Sequence, residues 1–201
     1  MKVWLPVTLT PMSMRLRARF TDLSAEFRTV AQAIKLDLGM RVATVDYGSS
    51  DTQEDQPADF ARQISTLSGS LSAFWRDLGP LRENVTVVVL SEFGRRLRAN
   101  TSGGTDHGFG NAMMMMGGEF KGRRMLGAWP GLSNETLDDG ADLAITTNYL
   151  HNPGEILSSQ MPDFDPAIAF PEYTAEPRGI FDGYWGMTDI PLKLDRRVLK
   201  G

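Results

Sequence analysis

The chain has 201 residues, 41% of them hydrophobic and 23% charged, which is enough for one domain with a sizeable core. A net charge of -4 lacks the basic footprint that phosphates demand, which excludes a general nucleic-acid binder and disfavours an anionic membrane surface as partner. No window reaches the roughly 20 apolar residues of a membrane-spanning helix, and the absence of cysteine excludes disulfides, thiolate metal sites and cysteine nucleophiles.

The N-terminal stretch MKVWLPVTLTPMSMRLRARF has a short apolar run interrupted by Pro6 and followed by arginines, which makes a poor secretory signal. The chain as it stands reads as soluble and cytoplasmic. Its abrupt start reads as that of a fragment. From Phe20 to Leu38, apolar residues at Leu23, Phe27, Val30, Ile34 and Leu38 mark one face of a helix, with Thr21 as N-cap and Gly39 as stop.

RVATVDY at 41–47 is short and β-branched and predicts a mostly buried strand, with Asp51 just past its carboxyl end. Pro57 opens the clearest helix, with Phe60, Ile64, Leu67, Leu71, Phe74 and Leu78 on one stripe and Gly79-Pro80 to end it. TVVVL at 86–90 has the continuous apolar character of a central strand covered on both faces. Strand, helix, strand in this order predicts a βαβ unit, so Asp51 and Ser91-Glu92 are expected on one rim, where open α/β sheets bind ligands.

AMMMM at 112–116 predicts a further strand, closed by GGEFKGRR as a turn or hairpin with a basic tip. Core packing is the reading preferred for the methionines, because a strand would alternate their thioethers between faces and thioethers suit soft copper only. DLAITTNYLHNPGEILSSQM at 142–161 begins strand-like and becomes helical from Pro153 to Gln160. From Pro162 to Gly201 prolines, glycines and aromatics predict an irregular wrapping tail. The expected fold is a single α/β domain over 1–201, a mostly parallel sheet flanked by helices.

The chemistry concentrates between Ser91 and Gly108. Asp106-His107, set among glycines, offers a carboxylate and an imidazole in a loop that can bend around an ion, against the bland alternative of a turn. Asp51 and Glu92 on the same rim add the carboxylates that hard or borderline cations require. Ser91 lacks the first glycine of the strand-to-helix nucleophile elbow, so capping is its preferred role, with a Ser91–His107–carboxylate triad as the sharper reading. Arg95 suits an anionic substrate, since guanidinium pairs with phosphate or sulfate oxygens. His151 reads as a loop or cap residue.

VTVVVLSEFGRRLRANTSGGTDHGFGNAMMMMGGEFKGRRMLGAWPGL resembles the bacterial sulfatase-like family catalogued as domain of unknown function fifteen-oh-one, of the alkaline phosphatase superfamily. The likeness extends back through RVATVDYGSSDTQEDQ and forward to about Gln160, so that 13–160 is the family-like core and 162–201 a tail. It implies a doubly wound α/β fold with metal-ligand loops at the carboxyl ends of the sheet, and hydrolysis of phosphate, sulfate or related esters. In the superfamily pattern Asp51 matches an early ligand, Glu92 a second acidic ligand and His107 a late histidine, around zinc, calcium or manganese.

Three departures narrow that implication. Gln53 stands where the family usually has a histidine, Phe109 replaces a second histidine, and the strand that carries the nucleophile has no counterpart, as if the fold were truncated at its N-terminus. The expectation is therefore a reduced ester hydrolase. One divalent cation is held by Asp51, Asp106 and His107, Glu92 is ligand or general base, and Arg95 binds a small-molecule ester. The alternative is a non-catalytic relative that binds a partner or a second copy through an exposed sheet edge. Relatives are often exported.

Overall fold

A computed structural model describes residues 2–6, 12–18, 23–48, 51–120, 125–171, 176 and 178–181, with the backbone alone over 2–6 and 12–18. Two N-terminal segments to which the sequence reading assigns no element are strands of the sheet. β1 (Lys2–Pro6) and β2 (Met12–Ala18) join β3 (Met40–Tyr47), β4 (Thr86–Leu90) and β7 (Met114–Gly117) in the order β2-β3-β1-β4-β7. Three of the four ladders are antiparallel, β1 on β3, β1 on β4 and β4 on β7, and only β2 and β3 pair parallel. The expected mostly parallel sheet is thus corrected to a mixed one. The class, α/β with helices, stands.

The reason lies in β1. It runs opposite to both neighbours and occupies the slot between β3 and β4, which were expected to pair. Those two strands still point the same way, two spacings or about 9.5 Å apart. Their carboxyl ends therefore share a rim despite the inserted strand.

α1 (Leu23–Lys35) buries Leu23, Phe27, Val30, Ala31 and Ala33, and ends where Asp37 and Gly39 take positive φ. Leu38 lies beyond that end and is exposed, off the predicted stripe, and the N-cap expected at Thr21 lies outside the described residues. α2 (Gln56–Asp77) packs on α1 through Phe27 and Phe74, 5.2 Å between ring centroids, and through a 2.8 Å hydrogen bond between Ser24 and Ser70. Its apolar stripe is buried only in part, since Phe60 and Ile64 are exposed. A 22-residue helix is about 33 Å long against about 20 Å for the 13-residue α1, so its first turns overhang.

β4 is buried along Thr86–Val89, as its apolar run predicted. Val88 faces a small cluster with Ile156 and Ile180, joined by Met113 and Met115, whereas Val85, Val87 and Val89 belong to the main core, joined by Met116. The methionines thus pack alternate faces. After β7 the predicted basic tip at 121–124 lies outside the described residues. The strand expected from Asp142 is not formed, because Asp142 makes only isolated bridges, with Arg96 and Asp138. α3 (His151–Gln160) includes the predicted helical segment, α4 (Pro166–Ala169) adds one turn, and most of the predicted tail lies outside the described residues.

Candidate functional site

Beyond the carboxyl end of β4 the chain turns through Ser91, whose hydroxyl accepts from the Phe93 backbone N–H at 3.5 Å, a cap of the turn. It then forms a two-stranded ribbon. β5 (Gly94–Arg95) pairs antiparallel with β6 (His107–Gly108), placing Gly94 opposite Gly108 and Arg95 opposite His107. Cross-strand partners share a face, and alternate residues along a strand do too. Phe93, Arg95 and His107 therefore stand together, with the Phe93 and His107 rings stacked at 3.9 Å and 15° and the Arg95 guanidinium 5.1 Å from the Phe93 centroid.

Two glycines, Gly94 in the ribbon and Gly104 in its connecting loop, have no room for a side chain. A Cβ on Gly94 would lie 2.0 Å from the Gly110 carbonyl oxygen, and one on Gly104 would lie 2.1 Å from the Gln53 carbonyl carbon and oxygen. That second contact is where the loop after β3 meets the ribbon. Asn100 secures the junction, donating to the Gln53 carbonyl at 2.9 Å and to Asp106 Oδ1 at 3.0 Å while its own Oδ1 accepts from the Ser102 and Gly104 N–H groups.

Docked this way, the loop after β3 presents Asp51 to the ribbon face. Its Oδ1 lies 2.7 Å from Arg95 Nη2 and 3.0 Å from His107 Nε2, and Gln53 Nε2 donates to both carboxylate oxygens at 3.2 and 3.0 Å. Gln53 Nε2 is also 3.3 Å from His107 Nε2, and Arg95 Nη1 donates to the Thr105 carbonyl at 2.6 Å. Burial lifts the Asp51 carboxyl pKa, but hydrogen bonds from His107, Arg95 and Gln53, with the Arg95 charge, outweigh it and hold it below its usual range. His107 and Asp51 remain about half exposed to solvent.

The predicted residues are thus divided. Asp51, His107 and Arg95 meet. Asp106 lies on the opposite face, since consecutive residues of an extended strand point apart, and it bonds Asn100 near Arg96 and Arg98. Glu92 is exposed and makes no hydrogen bond or ion pair among the described residues. Phe93 and Gln53 join the site beyond the residues expected there, and for Phe93 the signal in the sequence is its spacing of two from Arg95.

The ion implied by the resemblance can be tested against these donors. Among the described residues no three His, Asp or Glu side chains converge on a point. Asp51 already carries a guanidinium on the oxygen that faces His107. The described donors do not fit a resident divalent cation.

Residues 21–154 match one family model, described as protein of unknown function (DUF1501). No curated protein and no solved structure matches the chain.

Proposed function

The chain belongs to the DUF1501 family, and from that premise we propose that it hydrolyses ester bonds with Asp51 and His107 as the working pair. The observation that carries the proposal is the 3.0 Å approach of Asp51 Oδ1 to His107 Nε2 on a solvent-accessible rim at the carboxyl ends of β3 and β4. A carboxylate there selects the imidazole tautomer protonated at Nε2 and stabilises the imidazolium formed on proton uptake. Nδ1 is then the basic nitrogen, and no described residue hydrogen-bonds to it.

In this reading Nδ1 takes a proton from water as the water oxygen bonds to the ester carbon. The carbon–oxygen bond to the alcohol then breaks, and His107 returns the proton to the departing alkoxide. Phe93 fixes the ring plane from one side. Arg95 and Gln53 fix the carboxylate and touch no water or ester in this scheme, so they are positioning residues.

Of the ester classes expected, a carboxylic ester or lactone suits this pair best. General-base assistance contributes about 10²–10⁴-fold, whereas phosphate monoesters are among the slowest compounds to hydrolyse unaided and need dense positive charge. The test is turnover of p-nitrophenyl acetate, phosphate and sulfate by chelator-treated protein. Acetate hydrolysis is expected to fall about 10²–10⁴-fold in Asp51→Asn and His107→Ala, and rates equal to the unaltered protein in both variants would sink the reading.

A second reading, a binding module that pairs with its own copy, is favoured by β7, which pairs with β4 alone and leaves its other edge without a strand among the described residues. Its test is the mass in solution.

A further inference from the structure

We propose that the Arg95 guanidinium is the built-in cation of this site, standing where a divalent ion would otherwise bridge Asp51 and His107. The inference rests on the reading of those two residues as the working pair, and goes beyond it by naming what compensates their charge. Asp51 Oδ1 and His107 Nε2 are 3.0 Å apart. Ligands bonded at about 2.0–2.2 Å to one tetrahedral zinc ion lie about 3.3–3.6 Å from each other, so the pair would have to open by only a few tenths of an ångström to hold an ion. What closes the site is the third group.

Arg95 Nη2 sits 2.7 Å from that same Oδ1, and its side chain is only 20% exposed. Its position is determined from several sides. Nη1 is held by the Thr105 carbonyl, the cross-strand register sets Arg95 opposite His107, and Phe93 lies under the guanidinium. Arginine keeps its charge at every physiological pH and does not withdraw by losing a proton. Gln53 adds its amide N–H to both Asp51 oxygens, so Oδ1 faces three nitrogen groups and Oδ2 one. An ion entering here would have to break the Arg95 pair and place two further positive charges within a few ångströms of a guanidinium. Coulomb repulsion at that distance opposes it strongly.

The structure also indicates how to reverse the arrangement. Gln53 lies within 3.0 Å of Asp51 Oδ2 and 3.3 Å of His107 Nε2, so an imidazole at 53 would supply a third ligand once the competing charge is gone. The experiment is calorimetric titration of chelator-treated protein with zinc, manganese and calcium. The unaltered chain is expected to show no one-to-one binding, and the double variant Gln53→His/Arg95→Met to bind zinc at least about 100-fold more tightly, with Asp51→Asn abolishing the gain.

Stoichiometric uptake by the unaltered chain that Asp51→Asn removes would overturn the proposal. So would a double variant that melts like the unaltered protein yet gains no affinity. Should the double variant melt early, Gln53→His/Arg95→Gln, which keeps hydrogen-bond donors at 95 and drops the charge, carries the same comparison with the same two outcomes. Absence of esterase turnover would overturn the hydrolase reading and leave these titrations standing.

Discussion

His107 is oriented by groups from two loops, and the arrangement tells which residue identities matter. Asp51 takes hydrogen bonds from His107, Arg95 and Gln53, and its carboxyl titrates below its usual range as a result. A depressed carboxylate contributes stability that is complete above the unfolded-state value of about 3.9 and is lost as pH falls through the folded value. Urea unfolding of the native chain and Asp51→Asn is therefore expected to show a stability gap at pH 6 that closes as pH falls below about 4. A gap that persists unchanged at pH 2.5 would contradict the linkage. At this scale the Asp106-His107 pair was legible as chemistry, but which of the two faces Asp51 was not. That depends on the ribbon register, which puts Arg95 opposite His107 and leaves Asp106 beside Arg96.

Elements were most legible where a period is long. The stripes of α1 and α2 and the apolar run of β4 appear in the sequence because each buries a continuous face, while the overhang of Phe60 and Ile64 depends on the length of the neighbouring helix. α3 carries a device that no periodicity announces. Glu155 accepts the backbone N–H of Ile180 at 2.6 Å and that of Arg178, while Arg178 Nη2 lies 3.0 Å from His151 Nδ1. The clasp holds Ile180, 2% exposed, against Val88 and Ile156. Hydrogen bonds to a charged group contribute about 1.5–3 kcal/mol. Glu155→Ala is accordingly expected to speed hydrogen exchange of the Arg178 and Ile180 amides about 10–100-fold, and unchanged protection would show that the clasp does not hold the segment.

For the molecule as a whole, the sheet order governs both the site and the edges. β1 enters antiparallel between β3 and β4, yet leaves their carboxyl ends on one rim, so Asp51 still reaches the ribbon that follows β4. Among the described residues β7 ends the sheet, with Met114 52% exposed, and an uncharged edge strand is a template for another chain. Sedimentation is expected to show concentration-dependent self-association that Met114→Lys suppresses without lowering the melting midpoint; a monomer at every concentration would exclude pairing through β7. Among the described residues no helix is long and apolar enough to cross a membrane. The sequence by itself determined the α/β class, the two long helices, the buried strand β4 and the glycine-rich loop where chemistry gathers, because propensity, periodicity and loop composition are local properties. Only the tertiary structure decided that β1 parts β3 from β4, that Asp106 and His107 face opposite ways, and that Arg95 lies against Asp51. Strand order, register and the meeting of loops are set by contacts between residues far apart in the chain.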